Sequence, residues 1–417
     1  MPPESRGSAT AVAASGDGAF WADPDARRVA GLTARSAMLG WRTALLELAD
    51  SAPTFVRRMQ NLALGNWHLL LTHDRDGTSL DVGTGFGSLP LGLAGYYRQA
   101  LGAEMLPDRV RYAALRGREE GAGCRFVQGS GFALPVRDGA VSLVTLNGVL
   151  EWAGLYQGGN PRARQLDMLR EARRVLAPTG HLAVAIENRF ALESWLGLRD
   201  THTGIAGPTL LPRWVAGALT RVRTGAPYRT YLYHRAGYRR LLGAAGFERV
   251  RVLDLVSSYN DYDFILDTGD SASYQLLARA GAIRAFYAPA GKLRQLLADR
   301  APSVLAGLAY AYLVVGGASA ITLLDAEHPL WARAGQAGLG PGRFRLACQG
   351  AAPGQLGLLT HDGREVTGLL ELGTTLPGEP DGSILRTPAR ARLTGPLIPT
   401  AHFRWRGLEV RVWQRGG

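Results

Sequence analysis

The spacing of apolar and polar residues changes several times along this chain, and each change marks an element. Over residues 34–48 and 54–71 apolar positions recur at mixed three- and four-residue intervals, with Trp41 and Trp67 among them, which predicts helices. From residue 78 short apolar runs alternate with helical spacing. The pattern predicts strand 79–82, helix 88–100, strand 101–104, helix 108–117, strand 124–128, strand 141–146, helix 161–176 and strand 181–187. Strands that alternate with helices imply a parallel sheet with right-handed crossovers, and ligands then sit outside the carboxyl ends of the strands. Residues 188–234 break the alternation, and helix 236–245 and strand 248–256 resume it. The stretch 256–300 reads as irregular, then helical over 281–299.

Residues 301–324 carry no charge. A membrane-spanning helix wants ~20 predominantly apolar residues. This stretch is rich in Ala and Gly, so it reads instead as a buried strand over 308–316, a seventh strand forming an antiparallel edge pair with 248–256. From about residue 335 the texture changes. Pro341-Gly342, Pro353-Gly354, Asp362-Gly363 and Pro377-Gly378 separate short alternating runs, which predicts a small β-rich domain built of hairpins. It has no glycine-rich phosphate loop and is assigned no chemistry.

The most informative segment lies where the first strand meets the first following helix. The run Ser79-Leu80-Asp81-Val82 ends in Gly83-Thr84-Gly85-Phe86-Gly87, with glycines at alternate positions. Glycine accepts positive φ and lets backbone N–H groups approach a ligand closely, so a nucleotide-like cofactor is the natural occupant. A dinucleotide fingerprint needs its third glycine at the sixth place, and that place is Ser88. Glu104 lies 21 residues after Gly83, close to the spacing at which an acid accepts the ribose hydroxyls, about 20 residues in the related nucleotide fold. Three further segments follow in order. These are Gly129-Ser130-Gly131-Phe132, then Asn147-Gly148-Val149-Leu150-Glu151-Trp152, and then Arg173-Arg174-Val175-Leu176-Ala177-Pro178-Thr179-Gly180 leading into a buried strand.

Asp-x-Gly-x-Gly-x-Gly followed by these segments resembles the class I S-adenosyl-L-methionine (SAM) methyltransferases, of the methyltransferase type 11 kind. The resemblance implies an α/β, Rossmann-like, seven-stranded fold with N-terminal helices, here with a small β-rich C-terminal domain. It implies SAM as cofactor, held by Asp81, Gly83, Thr84, Gly85, Gly87, Glu104, Met105, Ser130, Gly131, Phe132 and Asn147. Ser130 stands where the family usually places an aspartate beside the adenine. A hydroxyl still accepts a hydrogen bond, and adenine recognition then leans on backbone or on Phe132. The sequence Ile186-Glu187-Asn188-Arg189-Phe190, then His202-Thr203-Gly204, then Ala245-Gly246-Phe247 is similar to a bacterial subset associated with small-molecule or cell-surface glycan biosynthesis.

Methyl transfer to a hydroxyl needs a base, and His202, His234 and Glu187 are the candidates. Glu151, Trp152, Asn188, Tyr228 and Tyr231 are candidate substrate contacts, with residues 188–234 as a substrate lid. No His/Asp/Glu cluster in the sequence suggests a metal. The expected acceptor is a small molecule or glycan, methylated at oxygen. The alternatives are RNA ribose or carbon methylation and a non-catalytic SAM-binding scaffold. Base N-methylation is disfavoured, because Asn147-Gly148-Val149-Leu150 replaces the usual Pro-Pro-aromatic motif.

Composition changes this picture little. The chain has 417 residues, which suits two domains, and 46% apolar residues suit a sizeable core. The net charge of +12 comes from arginine, since Lys292 is the only lysine. No basic block with interleaved aromatics is present, so a solvated arginine-rich surface is favoured over nucleic-acid binding. Cys124 and Cys348 are far apart and support neither a disulfide framework nor a cysteine metal site, which fits a reducing cytoplasm. Residues 1–18 read as a disordered tail without the apolar core of a signal peptide, 19–75 as a helical cap, 76–330 as the methyltransferase domain and 335–417 as the β-rich domain.

Overall fold

In the computed structural model the apolar runs of the chain's middle assemble into one twisted sheet. The structure describes residues 26–321, apart from 72–75, 95, 156–157, 320 and short stretches between 257 and 287, and beyond them the backbone of five strands between 343 and 415. The expected tail over 1–18 lies outside the described residues.

The sheet has eight strands in the order β3-β2-β1-β4-β5-β8-β6-β7. These are β1 (Thr78–Val82), β2 (Gln99–Glu104), β3 (Arg125–Gln128), β4 (Val141–Asn147), β5 (Leu176–Glu187), β6 (Arg249–Val256), β7 (Phe264–Asp267) and β8 (Ala311–Gly317). β1 to β5 pair in parallel, and β8 runs antiparallel to both β5 and β6. The expected α/β Rossmann-like fold is present, with one strand more than the seven expected. The uncharged stretch near 311 is a strand and pairs antiparallel with β6 as expected, but it lies between β5 and β6, so that pair is internal rather than at the edge. Every residue of β8 is buried, which explains a run with no charge at all. The edge belongs to β7, in a segment that reads as irregular from sequence alone. Four residues are too few to show a period against the loops around them.

The helices deviate where a tertiary contact overrides local spacing. The expected helix 34–48 is two helices, α1 (Ala26–Leu39) and α2 (Trp41–Leu46), broken at Gly40 with φ +82°. The break lets the Trp41 amide donate to Glu119 Oε2 at 2.8 Å. The expected helix 54–71 is α3 (Pro53–Gln60) followed by a 3-10 segment, Leu62–Leu70. The expected helix 88–100 stops early as α4 (Ser88–Leu93), because Gln99 and Ala100 pair with Thr78 and Ser79 as the start of β2. α5 (Pro107–Glu119) and α6 (Pro161–Val175) both begin on proline, and the Asn160 side chain caps α6 by accepting from the Arg162 and Ala163 amides. The interruption after β5 contains α7 (Leu192–Trp195) and α8 (Arg213–Thr224), and α9 (Arg235–Ala244) follows it. Helices Ala288–Arg300 and Pro302–Gly307 precede β8. Among the described residues no helix is long and apolar enough to cross a membrane.

The core lies on both faces of the sheet. Leu80, Val144, Leu182, Val184 and Val314 are fully buried. The N-terminal helices are fastened to this core by Arg116 of α5. Its guanidinium donates to the Met59 carbonyl at 2.7 Å and to Ser88 Oγ at 3.0 Å, and it stacks over the Trp41 ring at 4.4 Å. In the C-terminal region five strands, Arg343–Cys348, Leu356–His361, Val366–Thr374, Leu397–Trp405 and Leu408–Arg415, form an antiparallel sheet of their own.

Candidate functional site

At the carboxyl ends of β1 and β2 the chain builds a tight turn out of glycines beside two buried acids. Gly83, Gly85 and Gly87 all have positive φ, at +70°, +56° and +86°. Each is glycine for a different reason. A Cβ on Gly83 would approach Val149 to 2.7 Å, and one on Gly87 would approach Phe126 to 2.9 Å. A Cβ on Gly85 would meet nothing within 4 Å, so Gly85 borders open space. The Gly83 and Thr84 amides both donate to the Ala103 carbonyl, which ties the turn to β2.

Glu104 finishes the turn from the other side. Its Oε2 accepts from the Gly85 amide at 2.9 Å and its Oε1 from the Leu106 amide at 3.0 Å. Met105 follows it, and the Met105 carbonyl accepts from the Gln128 side chain at 3.1 Å. Asp81 is buried, and Thr145 Oγ1 donates to its Oδ1 at 2.5 Å. Burial pushes the Asp81 carboxyl up to about 7, and the hydrogen bond from Thr145 only partly offsets that rise.

The loop after β3 folds back on itself. Ser130 Oγ accepts from the Phe132 amide at 3.2 Å, which leaves the Ser130 hydroxyl hydrogen available. The loop is braced from α6. Glu171 accepts from the Leu134 amide at 2.6 Å, while Arg174 donates to the Leu134 and Val136 carbonyls. Gly131 packs against Val82 and Met168. At the end of β4 the Asn147 side-chain amide donates to Asn260 Oδ1 at 3.4 Å, and Tyr259 covers Gly148. A turn with an open face at Gly85, flanked by two acids and closed by a braced loop, fits a cofactor with a ribose and a cationic amino-acid end.

A second group of side chains meets at the ends of β4 and β5. Glu151, Glu187 and His202 each offer one ligand atom, and these atoms lie within 4.8 Å of one another. Glu151 sits in a 3-10 turn after β4, Glu187 ends β5, and His202 comes from the segment after α7. His202 is held by Asp200, whose Oδ1 lies 2.9 Å from Nδ1 and also accepts the His202 amide at 2.7 Å. This turns Nε2 towards Glu151 Oε1, 3.6 Å away. The Trp152 ring packs edge-on against His202 at 4.9 Å. Burial first, and then the nearby Glu151, raise the Glu187 carboxyl to about 7. Burial lowers the His202 affinity for a proton, but the carboxylates of Asp200, Glu151 and Glu187 outweigh it and hold the imidazole well above its usual range. The sequence showed no such cluster, because its members are separated by 36 and 15 residues and meet only through the fold.

Some expected site residues lie elsewhere. His234 stands at the N-cap position of α9 without a side-chain cap bond, packs against the Phe190 ring and is not a member of the cluster; burial and Arg240 lower its pKa. Asn188 spends its side chain on backbone, donating to the Ala309 carbonyl at 2.8 Å and accepting from the Phe190 amide at 3.0 Å. Tyr228 is buried and stacks on Tyr231, whose ring lies 4.1 Å from the Arg213 guanidinium. Thr145, Asp200 and Glu171 were not marked by the sequence pattern. Only Asp200 left a signal, an acid two residues before a histidine.

Residues 80–184 match the family model for a methyltransferase domain. No curated protein matches the sequence. Among solved structures, the chain is similar to a SAM-dependent methyltransferase of Thermotoga maritima, at 13% identity over 67% of this chain and 100% of that one, with a TM-score of 0.38. It is also similar to geranyl diphosphate C-methyltransferase of Streptomyces coelicolor, at 14% identity over 67% of this chain and 84% of that one, with a TM-score of 0.34. The chain carries a SAM-dependent methyltransferase domain of class I, and S-adenosylmethionine is its cofactor.

Proposed function

We propose that this methyltransferase acts on a hydroxyl of a small-molecule or glycan acceptor, that the turn Gly83–Gly87 with Asp81 and Glu104 holds the cofactor, and that the segment 188–234 encloses the acceptor. The observation that carries the reading is the buried group Glu151, Glu187 and His202 beyond the ends of β4 and β5, the next two strands on one side of β1. In register, Asp81 lies level with Thr145, and Thr145 with Ala183, four residues before Glu187. The group is thus about 10 Å across the sheet and 13 Å along it from Asp81, by ordinary strand spacings. A cofactor and an acceptor lying end to end span such a distance.

SAM supplies a methyl group already activated by its sulfonium. The chain's share is alignment and proton removal. A hydroxyl is protonated at working pH and must lose its proton as its oxygen gains the methyl group. Glu187 is the group placed to receive it, and Glu151 and His202 fix the charge around it. Trp152 and Tyr259 flank this region and exclude water. The test is methyl transfer from labelled SAM to a panel of glycosides, polyols and phenols, with RNA and amines alongside. O-methyl products support the reading; methylation of RNA alone or of nitrogen alone overturns it.

A further inference from the structure

We propose that Glu151, Glu187 and His202 bind one divalent first-row transition cation, which holds the acceptor hydroxyl. The second half of this statement rests on the hydroxyl-acceptor reading above; the first half does not.

Three observations carry it. The first is the donor set. Two carboxylates and one imidazole offer single ligand atoms within 4.8 Å of one another. Ions with bonds of ~2.1 Å place neighbouring ligands ~3.0–3.4 Å apart and opposite ones ~4.2 Å apart, so the group has to close by up to roughly 1.5 Å. An imidazole among the ligands favours manganese, iron, cobalt or zinc over magnesium and calcium, which prefer oxygen throughout.

The second is an unsatisfied acid aimed into the group. Glu151 is fully buried, and neither of its carboxylate oxygens accepts a hydrogen bond. Glu187 Oε2 is in the same condition. Buried carboxylate oxygens are ordinarily paired, and an ionised one left alone is costly. A dication between the two glutamates neutralises both.

The third is the orientation of the histidine. Asp200 engages Nδ1 at 2.9 Å and leaves Nε2 facing the glutamates. A carboxylate on the far nitrogen is the usual support of a metal-bound imidazole, because it fixes the tautomer and raises ligand basicity. Asp200 is therefore a positioning residue. Three protein ligands leave coordination positions free, and a pocket lined by Glu187, Asp200, His202 and Tyr310 adjoins them. A hydroxyl bound there would lose its proton more readily, as metal-bound water does, and the carboxylate oxygen of Glu187 that does not bind the cation would receive that proton.

The rival arrangement is a metal-free one, in which a protonated His202 alone balances the glutamates. Metal-stripped full-length protein should be titrated with Co2+ by visible absorption and with Mn2+ and Zn2+ by calorimetry. S-adenosylhomocysteine (SAH) binding is measured on the same samples as the check of folding and of the cofactor site. The expected result is one ion per chain with a ligand-field spectrum, and affinity at least ~10-fold weaker in Glu151→Gln and in His202→Gln, with SAH affinity unchanged. Glu151→Gln keeps the shape of the side chain, so the test stands if His202→Gln fails to fold. Absence of saturable metal binding in protein that binds SAH overturns the proposal, as does binding that Glu151→Gln leaves intact. Metal binding together with methylation at nitrogen or carbon supports the cation site and overturns only the hydroxyl reading.

Discussion

Glu104 Oε2 accepts the Gly85 amide at 2.9 Å, so the acid at the end of β2 holds the most open residue of the glycine turn. The same carboxylate is available to ribose hydroxyls through its remaining lone pairs. Its loss would therefore act twice, on the shape of the turn and on the cofactor directly. Glu104→Ala is expected to weaken SAH binding by about 10- to 100-fold, the effect of leaving one buried amide and one ligand hydroxyl unpaired, with ~1–3 kcal/mol lost. Calorimetric titration checks this, and unchanged affinity would remove Glu104 from the site.

Gly83 and Gly85 should separate stability from binding. Alanine at Gly83 collides with Val149 at 2.7 Å in addition to the cost of positive φ. Alanine at Gly85 meets only open space, so the conformational cost, ~1–2 kcal/mol, stands alone. Thermal melts should show the larger drop for Gly83→Ala. SAH affinity measured on folded protein should fall for Gly85→Ala, whose methyl group points into the open space proposed for the cofactor. A Gly85→Ala chain that binds SAH normally would place the cofactor elsewhere.

Asp81 should make cofactor binding pH-dependent. Its folded pKa, about 7, lies above the ordinary carboxyl value of 3.8, so between those values the folded chain holds a proton that the unfolded chain releases. Stability contributed through Asp81 is present below that window and is lost as pH rises through it. A bound cation favours the carboxylate, so SAM affinity should rise with pH up to about 7 and then level off. Asp81→Asn should weaken SAM binding, flatten its pH profile and make the free protein relatively more stable at pH above that value. Titrations of both proteins across the window, paired with melts, report on both effects. An identical pH profile in the variant would exclude Asp81 as the linked group.

Arg116 links α5 to the N-terminal helices, and burial pushes its pKa down to about 10 without neutralising it. Arg116→Met keeps much of the volume but leaves the Met59 carbonyl without its 2.7 Å partner. A loss of ~2–4 kcal/mol is expected in denaturant unfolding. Limited proteolysis should then cut first within residues 26–71. Wild-type stability in the variant would show that the helices are held by apolar packing alone.

Where one strand follows another through a helix, the sequence was readable. β1, β3, β4, α5, α6 and β6 lie within a residue or two of where apolar spacing puts them. The glycine turn was readable too, because its three glycines are local in sequence. The failures share one physical cause, which is dependence on partners distant in the chain. Gln99 and Ala100 are strand residues because Thr78 and Ser79 lie beside them. β8 is internal because β5 and β6 both claim it. Glu151, Glu187 and His202 look unrelated in sequence and share a site only because β4 and β5 are neighbours.

The reading of the acceptor end is tested most directly with Glu187→Gln. Single-turnover methyl transfer from labelled SAM to the best hydroxyl acceptor would be compared between wild type and variant, with SAH affinity measured on both. The account predicts turnover reduced by at least ~100-fold, within the usual range for losing a general base, and unchanged SAH affinity. Wild-type turnover in a variant that binds SAH would contradict it.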